Sequence, residues 1–383
     1  PYMDHAETDL NPRYERGTLQ EVYEMIGKDI EAGIPLIDDT AYSVPKYHFN
    51  YKAACCFASR YYLFMQDWDN AIKYATMALT SNPSSLLRDY SAIAALPNGT
   101  SRHQEYVNSA STANFLLQAA TSNSGLLFDW YSTAGRYSHG KLQGIYETVQ
   151  PKKGGPWGSS VTFKAPHAVL ASSGKYVLPR TWRVFQYTDP VAGTGFNKAI
   201  SVLFTSEEAL LNRAEAYIMK MNEDPTALDK ALEDINLYAA NLFSAGFKSM
   251  TEASIIKWAT ETYPDYSELY VGKTSVSSPQ TLNPKKKLHA APYNTLEEGG
   301  PQESMLQALI FMRRYQFLHE GMRWFDTRRF GITVYRYLLD EDAETVVQIT
   351  DQISDENGTA DPRRALQLPA DVIAAGLTPN PRK

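Results

Sequence analysis

Arg313-Arg314-Tyr315-Gln316-Phe317-Leu318-His319-Glu320-Gly321-Met322-Arg323-Trp324-Phe325-Asp326-Thr327-Arg328-Arg329-Phe330-Gly331 is the stretch on which the reading of this chain turns. Arginines, an aspartate and large aromatics recur there at helical spacing, interrupted by one glycine. Gly321 breaks a helix, because glycine enters backbone conformations that other residues avoid. Arg323 and Asp326 stand three apart, so one helical turn can pair them. Trp324 offers a large apolar body to neighbouring helices. An arginine–carboxylate network buried at such a place would fix how helices stack. The cluster of Glu320, Gly321, Arg323, Trp324 and Asp326 is therefore read as scaffold rather than as an active site.

Outward from this stretch the chain reads as helical pairs. Ser304–His319 and Trp324–Leu339 make one. Upstream, Ser206–Phe243 makes another, with Leu210, Leu211, Ala214, Ala216 and Tyr217 on one apolar face and Leu228, Ala231, Leu232, Ile235 and Leu237 on the other. Asn222-Glu223-Asp224-Pro225 is its break. Tyr47–Met65 and Asp69–Ala78 form a third pair, whose Ala53, Ala54, Ala58, Ala71, Ala75 and Ala78 let two helices approach closely. Tyr62, Ala71, Ala78 and Pro83 fall at tetratricopeptide spacing, with Ser59 in place of the usual glycine. The first helix runs from Thr18 to Leu36: Thr18 and Glu21 form a capping box, and Gly33 and Pro35 end it.

Between Gly125 and Gly195, and again between Tyr263 and Pro301, Gly, Pro, Ser and aromatics replace helical periodicity. Tyr176–Leu178 and Thr181–Tyr187 read as short strands. Long irregular segments in a compact protein tend to carry function. Tyr (25) and Trp (6) outnumber Phe (15), and both join a flat apolar face to a polar edge, which suits a wet binding surface. Trp130, Tyr131, Tyr137, Trp157, Trp182 and Tyr187 lie in the first irregular segment and are the candidate ligand platforms, with Arg136 or Asn123 selecting orientation. Trp68, Trp258 and Trp324 are assigned to packing. On this division Trp324→Ala should destabilise far more than Trp157→Ala.

Composition narrows the classes. A 383-residue chain with 43% hydrophobic and 21% charged residues is an ordinary globular protein. Its net charge of −6, with Lys285-Lys286-Lys287 as the densest basic run, gives no nucleic-acid stripe. That triplet is read as a solvated loop. Cys55 and Cys56 are adjacent and read as buried thiols, so no disulfide fixes the compartment. No stretch has the roughly 18 apolar residues that span a bilayer. The chain starts at Pro1, which reads as a natural N-terminus lost together with any export signal or anchor. Glu207, Glu208, Glu215 and Asp234 are the carboxylates available for glycoside hydrolysis, which needs two carboxyls about 5–10 Å apart; Glu207 and Glu208 also suit a helix N-terminus. Asp351, Asp355 and Asn357-Gly358 read as a turn rather than a calcium site. The histidines have no metal spacing, and no G-x-S-x-G elbow or phosphate loop occurs. No cofactor and no catalysis are expected.

Taken together these segments resemble the SusD/RagB family. The Arg313–Gly331 stretch is similar to its Arg-rich helix followed by Glu-Gly-x-Arg-Trp-x-Asp, with Met312 and Gln316 where acidic residues are common. Arg16-Gly17-Thr18-Leu19 to Asp29-Ile30, Ala53–Ala78, Asn212-Arg213-Ala214-Glu215-Ala216-Tyr217 with Asp234-Ile235-Asn236, and Leu366-Gln367-Leu368-Pro369 with Thr378-Pro379-Asn380-Pro381 agree in order. The resemblance implies an all-α, mostly helical fold over 1–383, in which tetratricopeptide-like hairpins (about 16–83, 204–245 and 302–340) carry a loop-rich cap (about 121–200 and 263–301). It implies a cell-surface, lipid-anchored outer-membrane protein of Bacteroidetes that binds without chemistry and passes an oligosaccharide to a SusC-like TonB-dependent transporter. The resemblance implies that the anchoring cysteine and the family's first helices are missing from this chain. The alternatives are a RagB-like peptide binder, a helical-toroid glycoside hydrolase, and a repeat scaffold for protein partners alone.

Overall fold

The fold is taken from a computed structural model of the chain. It describes residues 17–124, 155–158, 161, 163–164, 168–170, 175–177, 180–244, 246–263, 266, 285–341, 346–355 and 359–382, with positions 2, 4–6 and 8. Eleven α-helices lie among them, and about half of these described residues are helical. α1 (Leu19–Gly33) begins at the expected Thr18–Glu21 capping box. α2 (Tyr51–Phe64) is capped by Asn50 and α3 (Trp68–Leu79) by Asp67. α2 and α3 pack through fully buried Ala53, Ala58, Ala71, Ala75 and Ala78. The Tyr62 and Tyr74 rings stack between them, centroids 5.3 Å apart. A side chain at Gly27 of α1 would collide with the Tyr61 hydroxyl, so glycine there lets α1 sit against α2.

α4 (Tyr90–Ala95) and α5 (Gly99–Tyr106) lead to β1 (Asn114–Thr121). β2 (Ala168–Leu170) and β3 (Lys175–Val177) pair with each other, and β4 (Thr181–Asp189) and β5 (Thr194–Thr205) follow. β5 is the centre of an antiparallel sheet ordered β1-β5-β4. It runs without a loop into α6 (Ser206–Lys220): Thr205 ends the strand, and its side chain accepts from the Glu208 backbone N–H to cap the helix. α6 is the central helix, buried along nearly its whole length, with α7 (Ala227–Leu242) beside it. α8 (Glu252–Lys257) and α9 (Pro301–Gln316) close the core, and α9 buries almost every side chain from Glu303 to Gln316. α10 (Met322–Arg329) starts at Gly321, whose φ of +80° is the left-handed break expected of it. α11 (Ala370–Ala374) lies near the end of the chain.

Several expectations are corrected. The chain is not all-α: β1–β5–β4 and two small antiparallel pairs interrupt the helices. The second half of the last helical pair stops at Arg329, and β6 (Val334–Leu339) follows, paired with β7 (Val346–Ile353). Burial along β6 alternates with period two, so Val334-Tyr335-Arg336-Tyr337 carries a strand pattern and not a helical one. Lys285 and Lys286 are buried rather than solvated. The Lys285 ammonium donates to the Ala259 carbonyl (2.8 Å) and lies 3.9 Å from the Tyr266 ring centre. Gln307 pairs with both backbone groups of Lys286. Trp157 is fully buried, between Phe243 (4.9 Å) and Phe311 (5.1 Å). Trp258 and Trp68 pack as assigned, whereas Trp324 is only half-buried. Cys55 and Cys56 are free and buried, and burial pushes the Cys55 thiol up to about 11.

The helices cross on a buried ionic network. Arg313 donates from Nε and Nη2 to both Asp326 oxygens (3.0 Å each) and from Nη1 to Asn212 Oδ1 (2.8 Å). Arg329 donates to Asp326 (3.0 Å) and to both Glu215 oxygens (2.5 and 3.0 Å). The Tyr293 hydroxyl donates to Glu215 (3.1 Å), and Asn212 donates to Ser59 on α2 (3.1 Å). Arg323, the partner expected for Asp326, adds a nearby charge that lowers its pKa, while Arg313 and Arg329 make the hydrogen bonds described above. Burial raises the Asp326 pKa, but Arg313 and Arg329 outweigh it and hold the carboxyl below its usual range.

Two stability predictions follow from this packing. Trp157→Ala should cost about 3–5 kcal/mol, the range for emptying a buried tryptophan site, and Trp324→Ala should cost clearly less; equal melting shifts, or the reverse order, would contradict the packing. Asp326→Asn should cost about 3–5 kcal/mol in urea unfolding, because it leaves two buried guanidiniums without their shared anion; a near-neutral result would contradict the network.

Candidate ligand-binding surface

Of the sequence-derived platforms, Trp130, Tyr131, Arg136 and Tyr137 lie outside the described residues. Trp157 belongs to the core and offers no face to solvent. Trp182 sits on β4 opposite Ile200. Tyr187, also on β4, is 58% exposed and meets Phe185 (41% exposed) edge-on, centroids 4.9 Å apart. Their two-residue spacing places both on one face of the strand. The register puts Asn197 of β5 opposite Phe185, on that same face. Asn197 Nδ2 donates to Asn123 Oδ1 (3.3 Å), so two amides lie beside two exposed rings. Asn123 is the polar partner expected from sequence, while Phe185 and Asn197 are additions from the structure. The signal for Phe185 is the alternation of β4, and Asn197 joins this candidate surface only through the β5 register.

This aromatic strand hangs from two buried arginines around Tyr106. Arg180, just before β4, donates from Nη1 to the Tyr106 hydroxyl oxygen (2.5 Å) and from Nη2 to the Tyr315 carbonyl (3.3 Å). Arg88 lies 3.8 Å from the Tyr106 ring centre, and donates to the Tyr106 carbonyl (2.8 Å) and to Asn114 at the start of β1 (2.6 Å). Tyr106 in turn donates to Glu320 (2.6 Å), at the junction of α9 and α10. Both outer strands of the sheet are thereby tied to the helical core.

A groove of about 590 Å³ opens elsewhere, between the start of α1, the end of α2 and α10. Leu19, Tyr23, Phe64, Met65 and Phe325 line it, with Arg328 and Arg329. Local pattern conceals these residues, because Phe325 and Arg328 lie inside a motif that reads wholly as scaffold.

Comparison with known proteins adds the following. Residues 1–63 match the family model SusD-like_3, described as starch-binding associating with outer membrane. A putative sugar-binding protein from Bacteroides vulgatus superposes with a TM-score of 0.52 at 20% identity, and a SusD superfamily protein from the same species with 0.51 at 17%. Each superposition covers 96% of this chain and 66% of the other. The fold is SusD-like. The chain spans about two thirds of the length of these two structures. No curated protein sequence matches it significantly.

In this SusD-like fold the four candidate hydrolytic carboxylates are all buried and matched to arginines. Glu208 takes a bidentate Arg60 (2.6 and 2.7 Å) and Asp234 a bidentate Arg213 (2.8 and 2.7 Å). Glu207 accepts from the Arg88 backbone N–H (2.9 Å), and Glu215 belongs to the Arg329 network. A hydrolytic pair must face a shared space that holds a sugar and a water; these carboxylates face guanidiniums in the core. Asp351 and Asp355 likewise pair with Arg363 and Arg364, while Asn357 and Gly358 lie outside the described residues. Among the described residues no cluster of His, Cys, Asp and Glu has the arrangement of a metal site, and no helix is long and apolar enough to cross a membrane.

Glu320 gives the anchor a pH dependence. Burial is the largest cause pushing its carboxyl up, to about 7, against the pull of Arg180 and the Tyr106 hydroxyl. Folded protein therefore keeps a proton that an ordinary glutamate sheds near 4.5, and binds more protons than the unfolded chain between 4.5 and about 7. The stability from this group is full below that window and is lost as pH rises through it. Urea midpoints of the wild type should fall across the window relative to Glu320→Gln, and parallel pH profiles would contradict the assignment.

Proposed function

We propose that the chain is a nutrient-binding protein that captures glycans at the bacterial outer surface and hands them to a TonB-dependent outer-membrane transporter. The observation that carries this reading is the exposed Tyr187–Phe185 pair beside Asn197 and Asn123. Ring faces suit the CH face of a pyranose, and amides can donate to and accept from its hydroxyls. The SusD-like fold supports the reading, as does the description of the family model matched by residues 1–63. Arginine pairing of every candidate carboxylate supports binding without hydrolysis. In the same proposal the α2–α3 and α6–α7 hairpins act as a tetratricopeptide-like scaffold, the segments at about 121–200 and 263–301 as a ligand-binding cap, and a lipid anchor holds the protein at the membrane.

Isothermal titration against an oligosaccharide panel that includes maltoheptaose tests the reading. Tyr187→Ala and Phe185→Ala should each weaken the best ligand about fivefold, the equivalent of about 1 kcal/mol per stacking contact, at unchanged melting temperature. Unchanged affinity in both variants would reject this site.

A further inference from the structure

The groove between α1, α2 and α10 has a chemistry of its own, and the inference drawn from it stands apart from the glycan reading. Its walls are apolar and open: Leu19 is 65% exposed, Phe325 45% and Met65 43%. Phe64 and Phe325 lie with ring centroids 6.2 Å apart and planes inclined at 27°. Its volume, about 590 Å³, falls within the range of small-ligand sites. Two cationic side chains line it. Arg329 directs its amino groups inward to Glu215, Asp326 and Tyr293, but its buried Nε has no hydrogen-bond acceptor. Arg328 is exposed and makes no ion pair with any described residue. The Gln20 amide at the rim already donates to Glu24 (2.8 Å).

These features select one kind of occupant. Apolar walls favour a large aromatic or aliphatic group, and a sugar would leave its hydroxyls unpaired against them. A guanidinium without a counter-ion, with a second guanidinium lacking one acceptor beside it, favours a carboxylate. Among the described residues no carboxylate lines the groove, so the ammonium of a free amino acid would meet only like charge there. A peptide C-terminus satisfies all three conditions, since its last residue joins an apolar side chain to a carboxylate while its nitrogen is an uncharged amide. We propose that this groove binds the C-terminal residue of a peptide, with the side chain against Phe64 and Phe325 and the carboxylate on Arg328.

The probes are N-acetyl-Gly-Phe as the free acid, the same dipeptide as its C-terminal amide, and free phenylalanine, each titrated into the full chain by calorimetry. The acid should bind at least about tenfold more tightly than the amide, as a charge-assisted contact requires, and more tightly than free phenylalanine. Arg328→Gln should abolish the difference between acid and amide at unchanged melting temperature. Phe325→Ala should weaken both. Maltoheptaose titrated into Arg328→Gln should behave as with the wild type, which separates failure here from failure of the glycan reading. Equal binding of acid and amide, a preference for the acid that survives Arg328→Gln, or no saturable binding of the acid at millimolar concentration would each overturn the proposal.

Discussion

The Arg313–Asp326 ion pair is the constraint around which the helices are arranged. Both side chains are fully buried, and a buried ion is tolerated only when its charge is matched and its donors are satisfied. Asp326 answers two guanidiniums, Arg313 and Arg329, and Arg329 carries the matching on to Glu215 and Tyr293. Asn212 then links Arg313 to Ser59. Four helices, α2, α6, α9 and α10, contribute to this set. Hydrogen-bond geometry is directional, so their relative rotation is specified more tightly than apolar packing alone requires.

The same constraint decides what faces outward. On α10, Met322, Asp326 and Thr327 turn into the core, which leaves Phe325 and Arg328 on the opposite side of a short helix. Their exposure is a consequence of the inward network, and it produces the apolar groove with a cation at its edge. A comparable logic holds at the sheet. Arg88 and Arg180 bracket Tyr106 and tie β1 and β4 to the helices, so the part of β4 beyond them can project its rings into solvent without unravelling. Glu320 touches this bracket from the α9–α10 junction, so its proton bears on the place where scaffold and sheet meet.

Much of the helical framework is legible in the linear sequence. Small residues at helical spacing mark the α2–α3 and α6–α7 hairpins, the Thr18–Glu21 box marks the start of α1, and Gly321 marks the break before α10, because each rests on interactions within a few residues along the chain. The β4 strand is legible for the same reason. What composition and local pattern determine is therefore much of the helical framework, several of its helix ends and the family it resembles. The pairing partners are decided in three dimensions. Asp326 has Arg323 nearby in sequence, but Arg313 reaches it across the helix junction and Arg329 completes the set. Trp157 sits in Gly- and Pro-rich sequence that reads as surface, yet Phe243 and Phe311, far along the chain, close over it. Lys285 and Lys286 read as a solvated triplet until a carbonyl, a tyrosine ring and a glutamine from distant segments enclose them. Exposure and charge pairing are sums over neighbours brought together by folding, and a linear pattern carries no record of which distant neighbours those are.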